Sequence, residues 1–157
     1  MQGELRQVIA MIDEAYAGRA WHGPTLRGSL RGLGPGAASW RPSAGRHSIR
    51  EIVLHAAYWK YTVRRRLTHA AKGSFPLAGH NWFPRAGRGG ETSWEEEIAL
   101  LESEHALMRK AILKGGVRAM RTRVGRKLRG EALMRGIAAH DLYHAGQIRL
   151  IRALMRR

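Results

Sequence analysis

The chain is organised around Ile137-Ala-Ala-His140-Asp-Leu-Tyr-His144-Ala-Gly-Gln-Ile148-Arg-Leu-Ile151, a segment whose apolar residues recur at helical spacing. His140 and His144 share one helical stripe with Ile137, Ile148 and Ile151 and therefore point inward. Residues four apart on a helix have Cβ atoms about 5–6 Å apart. At that separation two imidazoles can bind one ion through N–metal bonds of about 2.0–2.1 Å. Two ligands hold a metal weakly, so the pair raises the question of a third.

Four segments carry the apolar period of an amphipathic helix, at about residues 5–18, 48–72, 93–114 and 131–154. The second and third begin at capping boxes, Ser48 with Glu51 and Ser93 with Glu96. The third is expected to end at Gly115-Gly116. No strand-like alternation is present. The chain is therefore predicted to be all-α, a four-helix bundle with long connections.

Two connections are rich in helix-breaking residues. Residues 20–47 hold many Gly and Pro, with one short helix expected near Leu26–Leu33. A connection of that length is unusual in a compact domain unless it covers something. Residues 73–92 mix breakers with large aromatic side chains, so this connection is expected to pack against the helices.

Composition limits the class of protein. A chain of 157 residues with 44% hydrophobic residues predicts one domain, residues 1–157, with a real core. The absence of cysteine excludes disulfides and thiolate metal sites. No apolar run reaches about 18 residues, and the first residues lack the plan of a secretory signal. We expect a cytoplasmic protein with no membrane segment.

The formal charge of +16 has two interpretations. It favours a polyanionic partner such as nucleic acid. Alternatively, arginine simply fills solvated faces, since the positive residues are spread along the chain.

His55 is the candidate third ligand. It lies three residues after Ile52 and four before Trp59, on the inward stripe of the second helix. Facing helices of a bundle can together build a metal centre, and three imidazoles leave coordination positions open, as catalytic sites do. Zinc, nickel, iron and copper all accept imidazole. The spacing alone leaves a second interpretation open, that these are core histidines satisfied by hydrogen bonds.

His140-Asp-Leu-Tyr-His144 nearly matches the zinc-protease pattern H-E-x-x-H, with Asp141 in place of the glutamate. The shorter side chain sets the carboxylate back, so proteolysis is not predicted. Asp141 could instead hold a ligand imidazole in one tautomer, or be a plain solvated or capping residue.

The segments Ser-Ile-Arg-Glu-Ile-Val-Leu-His55-Ala-Ala-Tyr-Trp and Ala-Ala-His140-Asp-Leu-Tyr-His144-Ala-Gly-Gln-Ile resemble the DinB/YfiT-like superfamily of metal-dependent proteins. The resemblance covers nearly the whole chain. It implies a four-helix bundle of up-down-down-up topology and a homodimer. It also implies a divalent metal site made by His55, His140 and His144, with zinc, nickel and iron not distinguished.

Characterised members of that superfamily include S-transferases and isomerases that use the thiols bacillithiol or mycothiol, and hydrolases. The resemblance therefore implies an enzyme acting on a small-molecule substrate, with a low-molecular-weight thiol as a further candidate cofactor. An acidic thiol would suit the basic segment 118–129 and the pair Arg85 and Arg88. The alternative to an enzyme is a binding protein, namely a non-catalytic, stress-linked protein that binds nucleic acid through its basic surface.

Several other residues have expected structural roles. His105 is expected to be a hydrogen-bonded core or interface residue rather than a fourth ligand or a substrate contact. Gln147 either orients a ligand imidazole or lies on the helix surface, and Tyr58 and Tyr143 are expected to pack beside the stripe. Exposure is expected for four further histidines, His22, His47, His69 and His80. Core packing is expected for most tryptophans, and lining of a cavity above the metal is the alternative.

Overall fold

A computed structural model describes residues 2–84, 92–125 and 128–156. The helices in chain order are α1 (Gln2–Tyr16), α2 (Leu26–Ser29), α3 (Pro35–Ser39), α4 (Ile49–Thr68), α5 (Trp94–Arg121) and α6 (Gly130–Leu154). A two-stranded antiparallel ribbon joins α5 to α6, formed by β1 (Arg123–Val124) and β2 (Leu128–Arg129). The predicted all-α class is confirmed, while the up-down-down-up order and the single domain stay predictions.

Both predicted capping boxes are present, and they fix where the two central helices begin. At α4 the Ser48 hydroxyl accepts from the Glu51 amide at 3.3 Å, and the Glu51 carboxylate accepts from the Ser48 amide at 2.9 Å. Ser93 and Glu96 make the same reciprocal pair at α5, at 3.2 Å and 2.6 Å. The start of α4 in turn sets which of its residues face the core.

The core lies between the four long helices, with α4 against both α5 and α6, and α1 against α6 and α5. Its apolar side chains form two clusters. One contains Met108, Ile112 and Met134. The other contains Ile148 together with Leu26 of α2. The long connection 20–47 is therefore part of the core that it covers.

Ion pairs cross the interfaces of α4. Arg50 pairs with Glu97, and Arg64 with Glu104, joining α4 to α5 at 2.7 Å and 3.0 Å. Lys60 pairs with Asp141 of α6 at 2.5 Å, and both side chains are at most 1% exposed. The two helices that carry the candidate ligands are thus joined by a fully buried ion pair.

Helix ends differ from prediction in two places. The third predicted helix is interrupted at Gly115-Gly116, where the sequence placed its end, but a further helical segment follows the break. Gly116 adopts φ 54°, ψ −143°, which breaks the helical geometry, and the chain then resumes a helix to Arg121. The second ends at Thr68 instead of about Lys72, because His69 turns into the left-handed region at φ 55°. The left-handed backbone conformation of His69 therefore ends α4 about four residues before the end that the sequence pattern predicted.

The connections also contain more structure than predicted. The short helix expected near Leu26–Leu33 spans Leu26–Ser29, and the second short helix α3 was not predicted. The short ribbon was not predicted, because the sequence shows no strand-like alternation. The ribbon turns at Gly125, which has φ 72°, and forms through backbone pairing without side-chain alternation. Among the described residues, no helix combines the length and apolar character that a membrane crossing requires.

Candidate metal centre

Three imidazoles from two helices meet in the interior. His55 comes from α4, and His140 and His144 come from successive turns of α6. His140 Nε2 lies 3.1 Å from His55 Nε2 and 3.1 Å from His144 Nε2. The three candidate ligand atoms all lie within 4.8 Å of one another. The structure therefore brings together the three histidines that the sequence singled out, and His105 is not part of the group.

Hydrogen bonds at the outer ring nitrogens fix two of the three rings. His55 Nδ1 lies 2.8 Å from the Asn81 carbonyl oxygen, which can only accept, so Nδ1 carries the proton. His144 Nδ1 lies 2.7 Å from Gln147 Oε1, and the amide of Gln147 donates to the Tyr143 hydroxyl. In both neutral rings Nε2 is then left with a bare lone pair that faces the centre. Outer-shell bonds of this kind orient histidine ligands in metal sites.

All three imidazoles are held neutral. Burial lowers the pKa of His140 to about 3, and the neighbouring His144 and His55 lower it further. Burial also lowers the pKa of His144 to about 4, although its bond to Gln147 opposes the shift. The pKa of His55 is lowered by burial as well. Neutral imidazole is the form that binds metals, so protons do not compete for these nitrogens near neutral pH.

The spacing of the ring nitrogens suits a single ion. Tetrahedral bonds of about 2.0–2.1 Å separate two ligand nitrogens by about 3.3 Å. The two observed separations of 3.1 Å are close to that value. Converging lone pairs repel one another unless a proton or a cation lies between them. When the proton of neutral His140 lies on Nδ1, its Nε2 lone pair faces the same point as those of His55 and His144, and the three nitrogens form a donor set that fits a divalent cation.

An aromatic cover closes one side of the centre. Trp82 stacks on His55 with ring centroids 3.9 Å apart, and His47 stacks on Trp82 at 3.6 Å. Trp59 donates from its indole nitrogen to Asn81 Oδ1 at 3.0 Å. Asn81 and Trp82 both lie in the connection 73–92, whose described part, residues 73–84 and 92, packs against the helices as predicted. Sequence reasoning did not identify Asn81, and its only signal was its position among the aromatic residues of this connection.

The structure corrects both interpretations of Asp141. It neither holds a ligand imidazole nor faces solvent. Its Oδ2 pairs with Lys60, and its buried Oδ1 has no hydrogen-bond partner. Lys60 was missed by the sequence reasoning, although a lysine between Ala56 and Val63 falls on the apolar stripe of α4. A charged residue at a core position was the available signal.

His105 is buried, as predicted, but its Nδ1 has no hydrogen-bond partner. Its ring stacks on Tyr16 at 3.6 Å, and Lys60 Nζ lies 4.9 Å from the centroid of the Tyr16 ring. Burial and the charge of Lys60 lower the pKa of His105 to about 3. A second polar group therefore lies in the core beside the three histidines, built around the Lys60–Asp141 pair.

The remaining predictions had mixed outcomes. Gln147 takes the orienting role, and Tyr58 packs against Phe75 and Phe83. Tyr143 lies on the flank of the stripe as expected, with its ring edge-on to His144 at 5.0 Å, but the residue is 63% exposed. The four other histidines are exposed as expected, namely His22, His47, His69 and His80.

Tryptophans divide by position. Trp94 is buried and donates to the Leu33 carbonyl. Trp59 and Trp82 lie beside the histidines, whereas Trp21 and Trp40 are exposed, against the core packing expected for most.

Part of the basic sequence lies outside the described residues, namely Arg85, Arg88, Arg126 and Lys127. The predicted link between the pair Arg85 and Arg88 and an acidic thiol therefore stays a prediction. The described part of the basic segment, residues 118–125 and 128–129, spans the end of α5 and the ribbon.

Comparison with protein families matches the DinB superfamily over residues 20–148. Comparisons with curated proteins and with solved structures find no match. The match includes α4, with His55, and most of α6, with His140 and His144. The chain belongs to the DinB superfamily.

Proposed function

We propose that His55, His140 and His144 bind a divalent metal ion, and that the protein is a metal-dependent enzyme acting on a small molecule. The observation that carries this proposal is the convergence of three neutral imidazoles, with Nε2 separations of 3.1 Å on either side of His140. Membership of the DinB superfamily supports it.

A divalent ion bound by three imidazoles supplies Lewis-acid chemistry, with coordination positions left over for substrate, a thiol or solvent. The chain's own residues prepare that site. The Asn81 carbonyl and the Gln147 amide orient two of the rings. Trp82 covers the face of His55 and keeps solvent from that side.

The metal proposal is tested on protein stripped with a chelator and titrated with Zn²⁺ and Ni²⁺ by calorimetry. We expect about one ion per chain, and loss of binding in His55→Ala and His144→Ala. His22→Ala is the matched control, because it removes an exposed histidine at another part of the surface. Helical circular dichroism shows that each variant is folded. Absence of binding by the folded wild-type protein overturns the proposal.

Two reaction types are proposed, thiol-dependent S-transfer and hydrolysis. An activity assay with and without the thiol distinguishes them. A transferase conjugates mycothiol or bacillithiol to an electrophilic dye and is inactive without the thiol. A hydrolase cleaves activated esters or amides with no thiol present. In both cases His144→Ala abolishes activity. A metal-loaded protein that is inactive across both panels of substrates contradicts the enzymatic part of the proposal and leaves metal binding intact.

A homodimer is also proposed, on the basis of an exposed apolar stripe along α6. Tyr143, Leu150 and Leu154 are 63%, 61% and 36% exposed and lie at spacings of seven and four residues. Such a stripe suits packing against the same stripe of a second copy. Light scattering after size-exclusion chromatography is expected to give twice the chain mass, and Leu150→Glu to give the monomer. A monomeric wild-type protein contradicts the dimer.

A further inference from the structure

A basic cleft lies where the C-terminal part of α4 meets the C-terminal part of α5. Its larger lobe has a volume of about 590 Å³ and its smaller lobe about 270 Å³, and the two adjoin at His69. His69 follows His55 by fourteen residues, which corresponds to about 21 Å of helix. The cleft is therefore a separate feature of the surface from the three histidines.

Six cations line this cleft. Three are on α5 in the larger lobe, and three surround the smaller lobe: Lys110, Lys114 and Arg118, and Arg65, Arg66 and Arg123. Neither lobe is lined by an aspartate or glutamate. Among the described parts of the chain, no carboxylate lies within ion-pair distance of any of the six.

Their positions are not explained by the helix dipole alone. Cations in the last turn of a helix offset its C-terminal partial charge, which accounts for Arg118 of α5. The same effect applies to Lys114, in the last turn before the break at Gly116, whereas Lys110 lies a full turn earlier. Lys110 and Lys114 are four positions apart on one helical face, with Cα atoms about 6 Å apart along the axis. Arg118 lies beyond the break at Gly116 and lines the same lobe.

We propose that the basic cleft binds the phosphate backbone of a nucleic acid strand without reading its sequence. A row of cations across two adjoining lobes matches a polymer with one charge every few ångströms, whereas a single small anion needs only part of it. The cleft is concave, so it accommodates a strand better than the flat surface of a membrane. Among the residues that line the two lobes, His69 is the one aromatic side chain, so phosphate contacts rather than base stacking dominate the binding.

Long-range attraction supports the same partner. A formal charge of +16 draws polyanions to the whole surface. In the cleft, six described cations are gathered around a cavity whose lining holds no acidic residue. Binding there does not involve the three histidines, so the proposal stands independently of the metal-dependent function.

The test measures fluorescence anisotropy of a labelled 20-nucleotide single strand at 50 to 200 mM salt. The cleft variant is Lys110→Gln/Lys114→Gln/Arg118→Gln, and the matched control is Arg6→Gln/Arg149→Gln/Arg156→Gln. The control removes the same charge from three exposed arginines outside the cleft. All of these side chains lie on the surface, and circular dichroism checks that both variants fold.

We expect the cleft variant to bind about tenfold or more weakly at 50 mM salt, and to lose about two units of the slope of log Kd against log salt. The control and His144→Ala keep most of the affinity. Three results would overturn the proposal: no binding by the wild-type protein, an equal loss in both triple variants, or binding only to vesicles containing phosphatidylserine. A second triple variant, Arg65→Gln/Arg66→Gln/Arg123→Gln, is expected to weaken binding in the same way.

Discussion

Replacing Lys60 by methionine is expected to destabilise the protein by about 3–5 kcal/mol, because it leaves the Asp141 carboxylate buried without a partner. Lys60 is 0% exposed, and its ammonium lies 2.5 Å from Asp141 Oδ2. The other carboxylate oxygen has no hydrogen bond that could compensate. Such a loss is a large part of the roughly 5–15 kcal/mol that stabilises a folded domain.

Thermal unfolding gives the scale of the expected shift. A chain of 157 residues has an unfolding entropy of roughly 0.3 kcal/mol/K near its midpoint, so the loss lowers Tm by roughly 9–15 °C. The free energy is measured by urea unfolding followed by circular dichroism, with linear extrapolation to water. The m value is expected to stay constant, because the surface exposed on unfolding is the same.

Two further variants distinguish the loss of the ion pair from the loss of packing around the Lys60 side chain. Replacing both partners, as Lys60→Met/Asp141→Leu, is expected to restore much of the stability, because no isolated charge remains. Arg135→Met is the surface control. Its pair with Glu131 is half exposed, and such pairs contribute about 0–1 kcal/mol. A loss below about 1 kcal/mol in Lys60→Met, or a double variant no more stable than the single one, would refute the reasoning.

Four further outcomes are expected, two at the metal site and two at glycines of α6. Three ordinary histidines would lose metal affinity about thousandfold between pH 7.5 and 5.5, because each is protonated below pKa 6.5. Burial lowers the pKa of His140 to about 3 and of His144 to about 4, so we expect a loss of at most about tenfold in calorimetric titrations at the two pH values. Gly130→Ala is expected to destabilise the fold by about 1–3 kcal/mol, since a Cβ there would lie 1.9 Å from a backbone oxygen of α5. Gly136→Ala, with open space around it, is expected to stabilise it by about 0.5–1 kcal/mol in the same urea assay. Gln147→Ala is expected to weaken zinc binding by about 10–100-fold, because it frees one ligand ring to rotate; unchanged affinity contradicts the orienting role.

The candidate site shows which structural features can be predicted from the local sequence pattern. Placing His55 and the pair His140 and His144 on inward stripes needs only the 3.6-residue period and the residues around them. The capping boxes at Ser48 and Ser93 are equally local, since each joins residues three apart. These features were predicted correctly because the groups that determine them are neighbours in the chain.

Contacts between residues that are far apart in the sequence could not be predicted in this way. Asn81 accepts from His55 across 26 residues, and Lys60 pairs with Asp141 across 81. Nothing within a few residues of Lys60 predicts which carboxylate will face it once the helices pack. The charge on its apolar stripe indicates only that some partner is needed, since burying a lone ammonium is too costly.

The sequence by itself determined the all-α class, the helix starts and the inward position of the three histidines. Tertiary structure decided that their Nε2 atoms converge, that the Asn81 carbonyl orients the His55 ring, and that Trp82 covers that ring. The physical reason is range: periodicity and capping act over three or four residues. Ring orientation and burial depend instead on side chains that only helix packing brings together.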